Sequence, residues 1–307
     1  MTDLNAPTPH SGIPTVPSTE PIRSINRVQR QMTPNATFRR YAAGFRSTKG
    51  MAGLLILALL ALLALLAPVL FPGGYDQQSA VSFAAPSFGH PFGTDELGRD
   101  LFIRSIYGLR TDFSIVIVAV PLSLLVGTAL GLLGGLSLWA GSLVQRILDI
   151  ILGFPGVVLA ICIVLIIGPG WVALVMAITI AGLPTFGRLA RAGLLEQNNR
   201  EYVTAARALG VSKATILRRH ILPNAVDPIL VSGAMFVVAA VFIESGMSII
   251  GLGIQPPLPS LGSLLNVGSR YIESAPMYIL GPTLILILLS MSFSLISDAL
   301  NETVNRK

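Results

Sequence analysis

Residues Glu201–Pro223 read EYVTAARALGVSKATILRRHILP, a polar stretch set between apolar segments. The pattern predicts a helix over Glu201–Leu209, with Tyr202, Ala205, Ala206 and Leu209 on one face at i, i+3, i+4 and i+7. Two alanines make that face thin enough for a groove. Gly210 can take the left-handed conformation that ends a helix. Ser212 is a good N-cap for a second helix, and Val211 with Ile216 has the spacing of a hydrophobic staple. Arg218, Arg219 and His220 then fall near the second helix's C-terminus, where positive charge is favourable. Pro223 is expected to end the unit. A hinged hairpin of this kind suits docking to a soluble partner through regular apolar anchors. The competing reading, an amphipathic loop resting on lipid headgroups, explains the arginines but accounts less well for the glycine hinge and the small-residue face.

The flanking sequence places this hairpin on a membrane protein. Hydrophobic residues make up 52% of the 307 and charged residues only 12%, where a soluble domain carries about 25% charged. A crossing needs roughly 20 apolar residues, since about 1.5 Å per residue must cover about 30 Å of hydrocarbon. Six segments qualify: Met51–Phe71, Ser114–Leu138, Leu143–Ile167, Trp171–Arg188 (short), Ala225–Leu252 (long, tilted or broken) and Met277–Ser297. Each must be helical, because lipid offers no partner to an open backbone group. The expected fold is an all-α polytopic membrane protein of six transmembrane helices with a cytoplasmic hairpin. Residues 1–35 are rich in Pro, Thr, Ser and Asn, and a disordered cytoplasmic tail is expected over 1–48, followed by a membrane domain over 49–307.

Positive charge sets the orientation. With the N-terminus inside, the inner segments hold seventeen Lys and Arg and the outer ones four: Arg99, Arg104, Arg110 and Arg270. Both termini are therefore expected in the cytoplasm, with 72–113 and 253–276 outside. Gly127, Gly131 and Gly135 recur every four residues, a spacing that lets two backbones approach. Pro121, Pro155 and Pro184 are expected to interrupt spans, as ordinary kinks or as gating hinges. The single cysteine, Cys162, reads as a small buried hydrophobe.

Glu201, Ala205, Ala206, Gly210 and the Leu222-Pro223 ending resemble the "EAA loop" of ABC importer permeases. Three stretches are similar to the C-type permease of peptide-family importers (oligopeptide, dipeptide, nickel). They are HPFGTDELGRD (90–100), EYVTAARALG (201–210) with RHILPN (219–224), and GLGIQPPLPS (251–260). The resemblance implies that Glu201–Leu209 is a coupling helix seated in a cleft of a cytoplasmic ATPase. It also implies pairing with a homologous second permease, two cytoplasmic ATPase domains that bind ATP and Mg, and an extracytoplasmic binding protein that delivers substrate. The expected setting is a bacterial or archaeal plasma membrane, with lipid as a further partner and no nucleic acid. Leu261 and Gly246-Met-Ser-Ile-Ile depart from the family's usual residues, which weakens any statement on substrate.

No G-x-x-x-x-G-K-[ST] phosphate cradle occurs, so ATP hydrolysis and its cofactors are expected on partner chains, with none on this one. No H-E-x-x-H or G-x-S-x-G occurs either, and no catalytic residue is assigned. No Cys/His cluster has metal-ligand spacing, so no metal site is expected, although a nickel chelate remains open as substrate beside peptide. Glu244 is the clearest ionisable group within a span, where charge costs about 2.5–3.5 kcal/mol. It reads as a pathway or inter-subunit polar contact, or as a structural hydrogen bond. One such acid is thin machinery for an ion-coupled carrier, the second reading; a non-transporting adaptor is the third. Outside, Asp95, Arg99, Asp100 and Gln255 form an expected landing surface for the binding protein. Asp100 and Arg104 have the spacing of a helical ion pair, and Gln255-Pro-Pro-Leu-Pro cannot continue the fifth helix.

Overall fold

A computed structural model describes residues 44–133 and 137–305. The expected tail over 1–35 and most of 1–48, and Gly135 of the glycine series, lie outside the described residues. The long helices are α1 (Thr48–Leu70), α2 (Leu101–Leu133), α5 (Trp171–Asn198), α8 (Leu222–Ile249) and α10 (Met277–Asn305). Between them lie α3 (Leu138–Gly153), α4 (Gly156–Ile167), the hairpin helices α6 (Glu201–Ala208) and α7 (Lys213–Ile216), and the short outer α9 (Leu261–Gly268).

Two proline expectations are corrected. Pro121 and Pro184 sit inside the unbroken helices α2 and α5. Pro155 does break its span: α3 and α4 meet at 98° across Phe154-Pro155. Composition alone would allow that bent pair to turn back on itself, and the packing of α2 against α5 decides the matter. Trp171 Nε1 donates to Ser114 Oγ, 2.9 Å, and Thr179 Oγ1 donates to the Ala119 carbonyl, 3.4 Å. Further along, a Cβ on Gly127 would meet Phe186 Cβ at 2.9 Å, and one on Gly131 would collide with the Gly187 carbonyl. Rising numbers in α2 meet rising numbers in α5, so the two helices are parallel. The chain must cross back between them, and α3–α4 is that crossing. The glycines at 127 and 131 are what let the two backbones touch.

The other helices complete six crossings. α1 is antiparallel to α10: Lys49 pairs with Glu302 at 2.5 Å, and a Cβ on Gly53 would reach the Ser292 carbonyl at 2.8 Å. α8 is antiparallel to α2, since Gly233 faces Leu124 while Ser260, held 3.3 Å from Ser248 at the far end of α8, lies against Gly108. Residues 71–100, 168–170 and 250–276 therefore share one end of the bundle, and 137 and 199–221 the other. This is the alternation expected from the charges, and the ends holding 71–100 and 199–221 are named outer and inner after that expectation.

Two span lengths differ from the expectation, while the fifth span, expected long and tilted or broken, is a continuous α8 of 28 residues. α2 has 33 residues, or about 50 Å, so it projects well beyond the hydrocarbon. α5 is not short but runs 28 residues to Asn198. In each case the helix continues past the apolar window, because polar residues at a membrane surface still satisfy their backbone within the helix. Cys162 is exposed on the chain's surface rather than buried, on an α4 face shared with Leu165 and Ile166.

Candidate functional site

The inner hairpin is anchored through a different residue from those the periodicity selects. Val203 is completely buried, with Ile216 and Ile221, while Tyr202, Ala206, Val211 and Leu217 are half-buried against the same core. Of the four-residue face expected to dock, Tyr202 and Ala206 thus turn partly inward. Ala205 stays exposed, and Leu209 is 83% exposed. Tyr202 also donates its hydroxyl to Gln197 Oε1 at 2.5 Å, tying the hairpin to the end of α5. The correction follows from helix geometry: a helix lying on its own protein needs one face inward, and the bulkiest aliphatic side chain of EYVTAARA takes it.

Gly210 is where the sequence reading and the geometry meet. Its φ is +75°. The Gly210 N–H donates to the Arg207 carbonyl (3.0 Å), and the Val211 N–H donates to the Ala206 carbonyl (3.1 Å). These are the two bonds of a Schellman closure, with glycine at the left-handed position. Ser212 Oγ then accepts from the Thr215 N–H at 3.3 Å as the N-cap of α7. Pro223 does not end the unit, as expected, but lies in the first turn of α8. A π turn, Leu217–Ile221, precedes it, with the Leu222 N–H donating to the Leu217 carbonyl. The widened turn relieves the clash a proline ring makes with preceding carbonyls, so helix continues from Lys213 into α8. The second hairpin helix is therefore continuous with a spanning helix. Exposed Glu201, Arg200, Arg207, Lys213, Arg218 and Arg219 surround the tip.

The outer segment is built in the opposite way. Asp95, Arg99, Asp100 and Arg104 are all buried. Asp95 Oδ2 accepts from Arg99 Nε at 2.7 Å and lies 3.5 Å from Arg104 Nε. Arg99 also donates to Asp76 (3.1 Å) and Glu96 (3.3 Å), and Glu96 accepts from the Tyr278 hydroxyl on α10 at 2.9 Å. Burial opposes the Arg99 charge, but its hydrogen bonds to Asp95 and Asp76 outweigh that and raise its pKa above the ordinary arginine value. Asp100 does not pair with Arg104. It caps α2 by accepting from the Ile103 N–H (2.9 Å), and its other oxygen lies 2.7 Å from His90 Nδ1. Asp95, Arg99 and Asp100 thus make their hydrogen bonds within the chain's own fold. Gln255 is exposed, with its amide donating to the Gly251 and Gly253 carbonyls, both at 3.1 Å.

Glu244 is fully buried and accepts from Ser248 (2.8 Å) and Ser245 (3.2 Å). The sequence reading missed its companion: Asp112 of α2 is also buried, within electrostatic reach of Glu244, and accepts from the Leu261 N–H at 3.3 Å. Asp112 was legible in one respect. It falls in phase with Gly108, Ile115, Ala119, Ser123, Gly127 and Gly131, the buried stripe of α2. At the inner end Arg188 and Asp149 form an exposed pair at 2.6 Å.

A bundle of six crossings with an inner hairpin and a capped outer end is the architecture of a membrane transport component. The chain belongs to the family described as binding-protein-dependent transport system inner membrane component, whose model matches residues 123–307, and residues 45–86 match the N-terminal transmembrane domain of oligopeptide transport permease C. It is 36% identical over 259 residues to the dipeptide transport system permease protein DppC of Alkalihalophilus pseudofirmus, covering 84% of this chain and 85% of that one. It is 39% identical to the di/tripeptide permease DppC of Pseudomonas aeruginosa, covering 70% of this chain and 71% of that one. With the glutathione permease GsiD of Pectobacterium atrosepticum it shares 37% identity, over 72% and 74% of the two chains. In fold it is similar to a chain of the inward-facing MetNI methionine ABC transporter, with a TM-score of 0.55 and 19% identity over 67% of this chain and 97% of that one.

Proposed function

We propose that this chain is the non-catalytic permease subunit of an ATP-driven importer of di- and oligopeptides. It forms half of a translocation pathway with a homologous second permease. The observation that carries this reading is the inner hairpin: its root is fixed by Val203 and its turn by Gly210, yet Ala205 and Leu209 remain exposed at its tip. Two cytoplasmic ATPase domains, which bind the ATP and Mg, receive that tip. The helical path from Lys213 through the π turn into α8 carries their motion to the bundle. Glu201, Tyr202, Ala205, Ala206, Leu209, Gly210 and Pro223 act as a coupling unit, with Pro223 at its junction with α8. The termini lie in the cytoplasm, the side favoured by seventeen of the 21 basic residues. On the other side, a binding protein delivers substrate to the exposed parts of 72–100 and the Gln255 loop. Peptide as substrate draws its support from the dipeptide, di/tripeptide and glutathione permeases that the chain resembles. The test is a Leu209→Cys chain in native membranes. A crosslink to an ATP-hydrolysing subunit, together with ATP-dependent uptake of a labelled dipeptide, is expected. Crosslinking only to lipid, or uptake without ATP, would overturn the reading.

A further inference from the structure

The outer ends of α2 and α8 bring two acids together, and among the described residues no basic side chain offsets them. Asp112 and Glu244 are buried to about the limit, at 1% and 0% exposed. The groups acting on them are each other, the Leu261 N–H and the hydroxyls of Ser245, Ser248 and Ser260. No basic side chain joins that set. Arg110 is exposed and lies two residues from Asp112, on the far side of α2. Arg104 is turned toward Asp95 and Asp76. α9 contributes no titratable side chain, and its Ser260 N-cap presents the positive end of a helix to the pair.

The hydrogen bonds are unequally divided. Each Glu244 oxygen accepts from a serine, and Ser260 Oγ reaches Ser248 Oγ at 3.3 Å. Asp112 Oδ2 has the Leu261 N–H, but Oδ1, buried, has no hydrogen-bond partner. The surroundings are tight. A Cβ on Gly262 would meet Ser248 Cβ at 2.7 Å, and one on Gly108 would meet the Leu261 nitrogen at 3.1 Å. Two ionised carboxylates in such a place would each lack both water and a counter-ion, a cost that paired acids avoid by sharing a proton.

We propose that Asp112 and Glu244 form a proton-binding site that holds a single proton, carried on Asp112 Oδ1. The proton comes from water. The remaining single negative charge rests on Glu244, where three serine hydroxyls gather, and faces the N-terminus of α9. The protonated pair fastens α9 to α2 and α8 at the outer end of the bundle. This inference does not depend on which solute is moved.

The experiment is infrared difference spectroscopy of the purified full chain with its co-purifying partners at neutral pH, in H2O and in D2O. A protonated-carboxyl carbonyl band that shifts down in D2O is expected in the wild type, lost in Asp112→Asn and displaced in Glu244→Gln. Asp112→Asn supplies an N–H in place of the O–H, so its thermal midpoint is expected to stay near wild type, whereas Asp112→Ala lowers it. Absence of the band in the wild type, or a band indifferent to both substitutions, overturns the proposal. A band abolished by added sodium or potassium would mean that a metal ion occupies the site, and would overturn it equally.

Discussion

The outer segment 72–100 and the inner hairpin 200–221 are both polar, both rich in charge and both joined to spanning helices, yet they use their charges in opposite ways. In the outer segment Asp95 and Arg99 sit inside the fold, with Arg99 donating to Asp95, Asp76 and Glu96, and Glu96 accepting from Tyr278. Inside, Arg207, Lys213, Arg218 and Arg219 stay exposed around an equally exposed Leu209. The difference teaches that a charged segment near a membrane is not by itself a binding surface. Where carboxylates and guanidinium groups interleave along the chain, as in TDELGRD, they satisfy one another. Where the charge is nearly all of one sign, it cannot pair internally and is left to water, lipid or a partner.

That contrast can be broken by substitutions of graded effect. Arg99→Ala is expected to have the largest, about 3–5 kcal/mol, because it removes the guanidinium hydrogen-bonded to buried Asp95 and leaves only Arg104, 3.5 Å away, as a basic partner. The check is the thermal midpoint of the purified protein together with protease cleavage within 72–100. A stable, uncleaved variant would show that the network is not what holds the outer segment. Val203→Ala removes the buried root of the hairpin and is expected to cost about 2 kcal/mol. Its mark is faster proteolysis between 199 and 213 with the outer segment unchanged; equal protection of the two forms would assign the anchor elsewhere.

Gly210→Val acts through the backbone alone, since a Cβ there meets nothing within 4 Å while φ is +75°. The strain is about 1–2 kcal/mol. Membrane insertion is expected to remain normal while substrate-stimulated ATPase activity of the assembled complex falls. Unchanged stimulation would remove the hinge from the coupling role. Leu209→Ala is the smallest perturbation of the fold, within about 0.5 kcal/mol, because the side chain is exposed. It separates the two regions most sharply: wild-type stability with reduced ATPase coupling is expected, and wild-type coupling would leave the exposed tip without a role.

Much of the architecture was legible because the bilayer allows few solutions. Apolar length and charge placement gave the crossings and their alternation, and glycine spacing gave a close backbone approach on α2 without naming α5 as its partner. The cap at Ser212 and the turn at Gly210 were legible because they depend on a few neighbouring atoms. Pro223 was misread because a proline stop is a local rule, and a π turn formed by the preceding residues can absorb the ring. Val203 was missed because periodicity identifies a face without saying which way it points. Asp112 was missed because its environment comes from residues about 130 to 150 positions away, including Glu244 and Leu261.

The sequence by itself determined that this chain crosses a membrane six times and carries a hinged polar hairpin on its basic side. Helical hydrogen bonding in lipid and the length of apolar runs leave little else open. Only the tertiary structure decided which polar residues remain available to others. That depends on whether an opposite charge or a hydroxyl, distant along the chain, arrives within hydrogen-bonding distance to complete a buried group.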